Sequence, residues 1–311
     1  MGFGRLQPLA RVVWAAGLAI LWFGAPTAGA LDWSAVPGKD VAVFHAGQAS
    51  WEWLLTKSDH SAATKMREGK SCQDCHRGEE RTIGELIASG EKLEPTPRPA
   101  GRAFSLVTVQ AAHDGEKLRM RFSWPAGAER SRLALLLDDG AVKEMNRGGC
   151  FATCHADLAG MPHAEGADRT KYLMQSRTRI RRSGGGDDWK PAGELAAMLQ
   201  AGQFLELWEI EARPGQAAKA AHGGWVLAER NENAAPGISV DGRREGSRWI
   251  AEIARPLRAS GAHEKTLAPG RTYTFGIAIH DGKDEGRFHR VSLEQTLTID
   301  RGEADFVARK Q

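Results

Sequence analysis

Lys117-Leu118-Arg119-Met120-Arg121-Phe122-Ser123-Trp124 alternates a polar or charged side chain with a large apolar one at every step. Period two over eight residues is the pattern of a half-buried β-strand, because successive side chains leave a strand on opposite faces. Outward from this stretch the pattern repeats. Ser105 to Ala112 is strand-like, and Asp114-Gly115 between the two runs predicts a hairpin turn. Leu133 to Leu137 is a short apolar run closed by Asp138-Asp139-Gly140. Phe204 to Glu211, Trp225 to Glu229 and Ser247 to Ile253 are further strand candidates. Tyr273, Phe275, Ile277 and Ile279 alternate again, and Val291 to Ile299 reads as the last strand. Many strands and few helices predict a mainly β chain: an antiparallel two-sheet sandwich. Helical candidates are short: Ser61 to Glu68, Thr82 to Ala88 and Ala192 to Gln200.

All four cysteines fall in two pairs, each followed directly by histidine. The first reads Cys72-Gln73-Asp74-Cys75-His76 and the second Cys150-Phe151-Ala152-Thr153-Cys154-His155. The first is the c-type haem attachment pattern, and the second carries one extra residue. Two thiols add to the two vinyl groups of one haem, and the adjacent histidine reaches the iron. With 10 His in 311 residues, chance would place His after both pairs about once in a thousand chains. A zinc site needs no trailing His, and its two pairs would be expected closer together. Disulfides closing such small loops would gain little loop entropy. The expectation is two covalently bound haem c groups, held by Cys72, Cys75, Cys150 and Cys154, with His76 and His155 as proximal iron ligands.

At the N-terminus, Arg5 and Arg11 lead into an apolar run from Val12 to Phe23, too short to span a bilayer. Ala28-Gly29-Ala30 offers a small-residue cleavage site, so residues 1–30 read as a signal peptide; the alternative is an uncleaved anchor. Export agrees with c-type attachment, which is made outside the bacterial cytoplasm, and the expected address is the periplasm. The net charge of +3 falls to about +1 without the leader, which gives no electrostatic case for nucleic acid. The proline-rich stretch Pro95-Thr96-Pro97-Arg98-Pro99 reads as an extended linker. It divides the mature chain into a small helical N-terminal c-type haem segment, 31–99, and a β-sandwich haem-binding domain, 100–311. The second motif lies in the long connection between Leu137 and Phe204, where Gly184-Gly185-Gly186 is expected to be flexible.

Several stretches resemble the haem-binding domain of ethylbenzene dehydrogenase and dimethylsulfide dehydrogenase gamma subunits, in its multihaem c-type form. They are Gly149 to His155, Gly160-Met161-Pro162, Lys171-Tyr172-Leu173, Ile279-His280-Asp281 and Arg287 to Leu293. Trp51-Glu52-Trp53-Leu54 and Leu93 to Pro97 extend the likeness into the N-terminal segment. The resemblance implies a β-sandwich holding a haem at one end, and a role in passing electrons. In those subunits the haem is b-type, held by Met and Lys without thioether bonds. Here Cys150 and Cys154 depart from that pattern, and the family's Lys ligand corresponds to the region of His289.

The distal ligands have competitors. For the first haem His60 is preferred over His45, because a helix running from it towards Cys72 could fold it over the haem. For the second, His289 is preferred over His280, His163 and Met161; it begins a strand and falls in the family's ligand-bearing segment. His113, His222 and His263 read as turn or loop residues. Two bis-His haems would make a lower-potential carrier than Met/His ligation. Arg177, Arg179, Arg181 and Arg182 could pair with haem propionates or steer an acidic partner, or form a solvated loop. Trp124, Trp208 and Trp249 fit core positions.

These residues point to a periplasmic dihaem carrier working between redox protein partners: a quinol dehydrogenase, another cytochrome or a terminal reductase. The rivals are a haem enzyme with an open distal site, and an electron-transfer subunit of a molybdenum oxidoreductase complex. No glycine fingerprint for nucleotides is present, since Gly184-Gly185-Gly186 lacks the strand-loop-helix context.

Overall fold

A computed structural model describes residues 1–2, 31–47, 49–94, 97–98, 103–127, 129–153, 173–178, 189–231, 237–282 and 289–311, with backbone only for 220–222. Residues 33–311 form one compact unit.

The β3 strand, Lys117–Pro125, is the alternating stretch: Leu118, Met120, Phe122 and Trp124 are buried to 1 % exposure or less, and the intervening residues are half-buried. It forms a hairpin with β2, Phe104–His113, in antiparallel register His113↔Leu118. The turn is held by Asp114, whose carboxylate accepts from the N–H groups of Glu116 and Lys117 at 2.9 and 2.7 Å. Gly115 takes φ 97°, a conformation that glycine reaches without steric cost.

The preceding β1 is Lys39–His45, and β4 (Ser131–Asp138), β5 (Leu205–Ala212), β6 (Lys219–Val226) and β7 (Arg230–Asn231) follow. The chain continues through β8 (Ser239–Glu245), β9 (Arg248–Pro256), β10 (Thr272–Asp281), β11 (Arg290–Val291), β12 (Gln295–Ile299) and β13 (Phe306–Lys310). Two half-sheets result, β7-β6-β5-β4-β10 and β1-β2-β3-β9-β8. β11 joins them by pairing with both β10 and β1, while β12 and β13 make a second bridge from β10 to β2. All pairings are antiparallel except β12 with β13 and β13 with β2. The core between the halves takes Leu118, Met120 and Phe122 from one side and Leu135, Trp208 and Phe275 from the other. Trp124 settles its one polar atom there, donating to Ser131 Oγ at 2.9 Å. The fold is the expected mainly β sandwich with a small helical segment.

The β4–β5–β10 half is covered on its outer face as well. Leu133, Leu135 and Leu137 enter the central core, whereas Ala134 and Leu136 face a second apolar cluster with Leu207 and Ala278. Double burial explains why β4 is a continuous apolar run rather than an alternating one. The second cluster is roofed by short helices: α1 (Trp51–Leu54), α2 (Ala63–Arg67), α3 (Gln73–His76), α4 (Glu80–Ala88), α5 (Lys143–Gly148) and α6 (Ala192–Gln200).

Several details differ from the sequence reading. The strand expected at Trp225 to Glu229 is β6, which begins at Lys219 and ends at Val226. The expected single strand Val291 to Ile299 is broken by Ser292-Leu293-Glu294, because Ser292 turns to exchange hydrogen bonds with Ile277. The helix expected from Ser61 covers only Ala63–Arg67, and α6 has the expected bounds. β1 lies before the proline-rich stretch yet pairs with β2 and β11, so residues on both sides of that stretch build the same sheet. Gly184-Gly185-Gly186 lies outside the described residues. Among the described residues no helix is long and apolar enough to cross a membrane.

Candidate haem centre

The Cys72–His76 motif forms a single helical turn. Cys72 is its N-cap, and its carbonyl accepts from the N–H groups of Cys75 and His76 at 3.2 and 2.9 Å. Ser71 N–H donates to Asp74 Oδ2 at 2.9 Å, tying the start of the turn. Helical spacing brings positions i, i+3 and i+4 to one face, which is the arrangement of Cys72, Cys75 and His76. Cys72 is buried and Cys75 is exposed. Burial pushes the Cys72 thiol well above its ordinary pKa, with the nearby Glu294 carboxylate adding to the effect.

Across from this turn stands His60. The two imidazole ring centres are 6.3 Å apart, inclined by 43°. An iron held between two imidazoles requires about this separation: each metal–nitrogen bond is about 2 Å and each ring centre lies about 1 Å farther back. Both rings also have one nitrogen engaged elsewhere. His60 Nδ1 lies 3.0 Å from the Leu54 carbonyl oxygen, and His76 Nδ1 lies 2.9 Å from Glu79 Oε2. Such outer contacts fix the tautomer and leave Nε2 for a metal. Burial lowers the His60 pKa, partly offset by the Leu54 carbonyl, and so favours the neutral ring that a ligand needs.

A cleft open to solvent is lined by both histidines, with Phe44, Trp53, Leu54, Ile83, Phe151 and Cys72 among its other walls. Apolar walls, paired thiols and two facing imidazoles fit a haem c. His45, the rival ligand, sits on β1 with Nε2 2.8 Å from Glu94 Oε2, both side chains buried. One of its ring nitrogens is thus held by a carboxylate, and His45 does not line the cleft.

In the second motif, Cys150 lies in a 3-10 turn, Gly149–Phe151, directly after α5. It packs so closely on β10 that a Cβ at Gly276 would stand 2.7 Å from its sulfur. Cys154, His155, Met161 and His163 lie outside the described residues, as do Arg179, Arg181 and Arg182. Arg177 is buried and stacks over Trp189, 3.8 Å from the ring centre.

His280 and His289 are neighbours at the far end of β10 and the start of β11, their rings stacked with centres 4.6 Å apart. That is too close for an iron between them, so this pair can offer one ligand at a time. Gly276, Ala278 and His280 share a strand face by alternation, and four residues of strand span roughly 13 Å. His113 closes β2, buried, with Nε2 2.7 Å from Asp300 Oδ1. His222 lies within β6, not in a loop, and His263 packs edge-on against Phe204 and Trp225.

Three buried carboxyl groups near the motifs escaped the sequence reading. Glu294 accepts from Gln73 N–H at 2.9 Å, and burial raises its pKa to about 7. Burial raises Glu52 to about 8, with the neighbouring Glu144 carboxyl adding to it, and Glu144 is raised as well. For Glu294 a signal existed: an acidic residue inside an apolar, strand-like run.

No family model matches the chain. It is 35 % identical over 300 residues to "Cytochrome c-552" of Stutzerimonas stutzeri, covering 93 % of this chain and 94 % of that protein. It is 28 % identical over 293 residues to "Cytochrome c-551" of Rhodocyclus tenuis, covering 90 % of this chain and 99 % of that protein. The fold and cleft are thus those of a cytochrome with covalently attached haem c and a role in electron transfer. The chain belongs to the c-type cytochromes, in the family of cytochrome c-552.

Proposed function

We propose that the chain is a periplasmic dihaem c-type cytochrome that moves electrons between respiratory redox proteins, with residues 1–30 as its cleaved export signal. In the first site, in segment 31–99, Cys72 and Cys75 carry the thioether bonds, His76 is the proximal ligand and His60 the distal one. The observation that carries this reading is the 6.3 Å separation of the His60 and His76 rings across the cleft. In the second site, in the sandwich domain 100–311, Cys150 and Cys154 hold the haem, with His155 proximal and His289 distal. The resemblance to the dehydrogenase gamma-subunit haem-binding domain supports that placement on the sandwich.

Bound haem supplies a one-electron iron couple. The protein's part is to fill the coordination sphere, exclude water from the cleft and set the potential through its neighbours. Imidazoles on both faces leave no open position for a substrate, which favours a carrier over an enzyme. Haem counting by mass, with optical and EPR spectra of the oxidised protein, tests the reading. Two haems and low-spin bis-His spectra are expected. A single haem, a sulfur-to-iron charge-transfer band in the far red, or rapid full binding of carbon monoxide by the reduced protein would overturn it.

A further inference from the structure

The chain that leaves the first motif folds back on its histidine. Glu79 N–H donates to the His76 carbonyl at 3.0 Å, and the Glu79 carbonyl accepts from Ile83 N–H at 2.9 Å as α4 begins. The Glu79 backbone is thus fixed from both sides. Glu79 is the N-cap of α4, a position whose side chain usually accepts from the free N–H groups of its own helix. Its carboxylate makes no such bond, and Oε2 lies 2.9 Å from His76 Nδ1 instead. Among the described residues no lysine or arginine pairs with this carboxylate. His60 differs, because its Nδ1 faces a neutral group, the Leu54 carbonyl oxygen, at 3.0 Å.

We propose that Glu79 is a positioning residue for electron transfer, which lowers the reduction potential of the first haem by polarising His76. The proposal rests on the reading of His76 as the proximal ligand. With Nε2 given to iron, Nδ1 keeps its proton and donates to the carboxylate. A hydrogen bond to an ionised acceptor is about twice as strong as one to a neutral acceptor. It draws the ring proton outward and makes the imidazole a more basic ligand. A more electron-rich ligand favours ferric over ferrous iron, and hydrogen bonding around the ligands is one of the means by which a protein sets a haem potential. The Glu79 side chain is 60 % exposed, so water and salt screen its charge at a distance. Its influence therefore runs through the contact with Nδ1 rather than through the general field. Exchange of one electron with a redox partner forms and breaks no bond, and the proton stays on Nδ1 in both states.

The experiment is a spectroelectrochemical titration of the full mature protein, with haem counted by mass and EPR spectra of the oxidised form. Glu79→Gln keeps the shape and an acceptor oxygen but removes the charge. It is expected to retain the parental haem content and low-spin spectrum. One component of its titration should move upward, the reduction constant rising about tenfold, about 59 mV for one electron. Glu80→Gln removes the same charge one residue on and should leave the curve in place. A Glu79→Gln protein on the parental curve, or an equal shift in both variants, would overturn the tuning role. Loss of haem or of the low-spin spectrum in Glu79→Gln would overturn it too, by making the residue a structural support. His76→Ala tests the ligand assignment separately. Parental spectra and potentials in that variant would remove His76 as a ligand, a result distinct from the others.

Discussion

The backbone N–H of Gln73 donates to the carboxylate of Glu294 at 2.9 Å, a contact that joins positions 221 residues apart. It docks the Cys72–His76 turn on the break between β11 and β12, and it places a buried acid beneath that turn.

Glu294 makes stability depend on pH. Its folded pKa of about 7 stands above the ordinary value of 4.5, so folding favours the protonated form. Stability is full below about pH 4.5 and falls as pH rises through about 7, by on the order of 3 kcal/mol. Glu294→Gln keeps an acceptor for Gln73 N–H and removes the titration. Urea midpoints at about pH 5 and about pH 8 should therefore differ less in the variant than in the parent. Equal differences in both would refute the assignment.

His60 and His45 should separate cleanly. His60→Ala is expected to turn one haem high-spin in the oxidised protein and open it to carbon monoxide when reduced. His45→Ala should leave the spectra alone but lower stability by about 1–3 kcal/mol, because the buried Glu94 loses its imidazole partner. Spectral change in the second variant instead of the first would exchange the two roles.

Gly149 tolerates no side chain. Its φ is 55°, and a Cβ would sit 2.3 Å from the backbone nitrogen of Glu294. Gly149→Ala should cost about 2–4 kcal/mol from left-handed backbone strain and overpacking. Denaturant unfolding measures the loss; a variant within experimental error of the parent would count against this packing.

The stacked pair at the end of β10 gives a further comparison. On the dihaem reading, His289→Ala should alter the low-spin spectrum of the proposed second haem, whereas His280→Ala should leave it low-spin. An unchanged spectrum in His289→Ala removes that residue as the ligand.

How far these features could be read in advance depended on whether the cause was local. β3 was legible because one of its faces is wet and the other dry, so Arg119 and Met120 differ in kind. β1 was not read, since Val41, Val43, Phe44 and His45 are all buried and the alternation is lost. β8 was missed for the opposite reason: Arg243, Arg244 and Glu245 are exposed on an edge strand. The Cys72–His76 turn declared itself through spacing, because helical geometry fixes which residues share a face. His60 could only be ranked above His45, and Glu294 stood out only as an acid in an apolar run, because its role is set by a partner far along the chain.

If Cys72 and Cys75 carry the thioether bonds as proposed, their unequal burial would give attachment to a folded chain an order in time. Cys75 is exposed, whereas Cys72 is 5 % exposed and held in its protonated form. A chain folded without its cofactor should therefore present one nucleophilic sulfur and hide the other, since the thiolate is the reactive species. Alkylation of such apoprotein should mark Cys75 well before Cys72. A precursor stalled halfway would then be tethered through Cys75 alone, the single-thioether product that mass spectrometry of each cysteine would reveal.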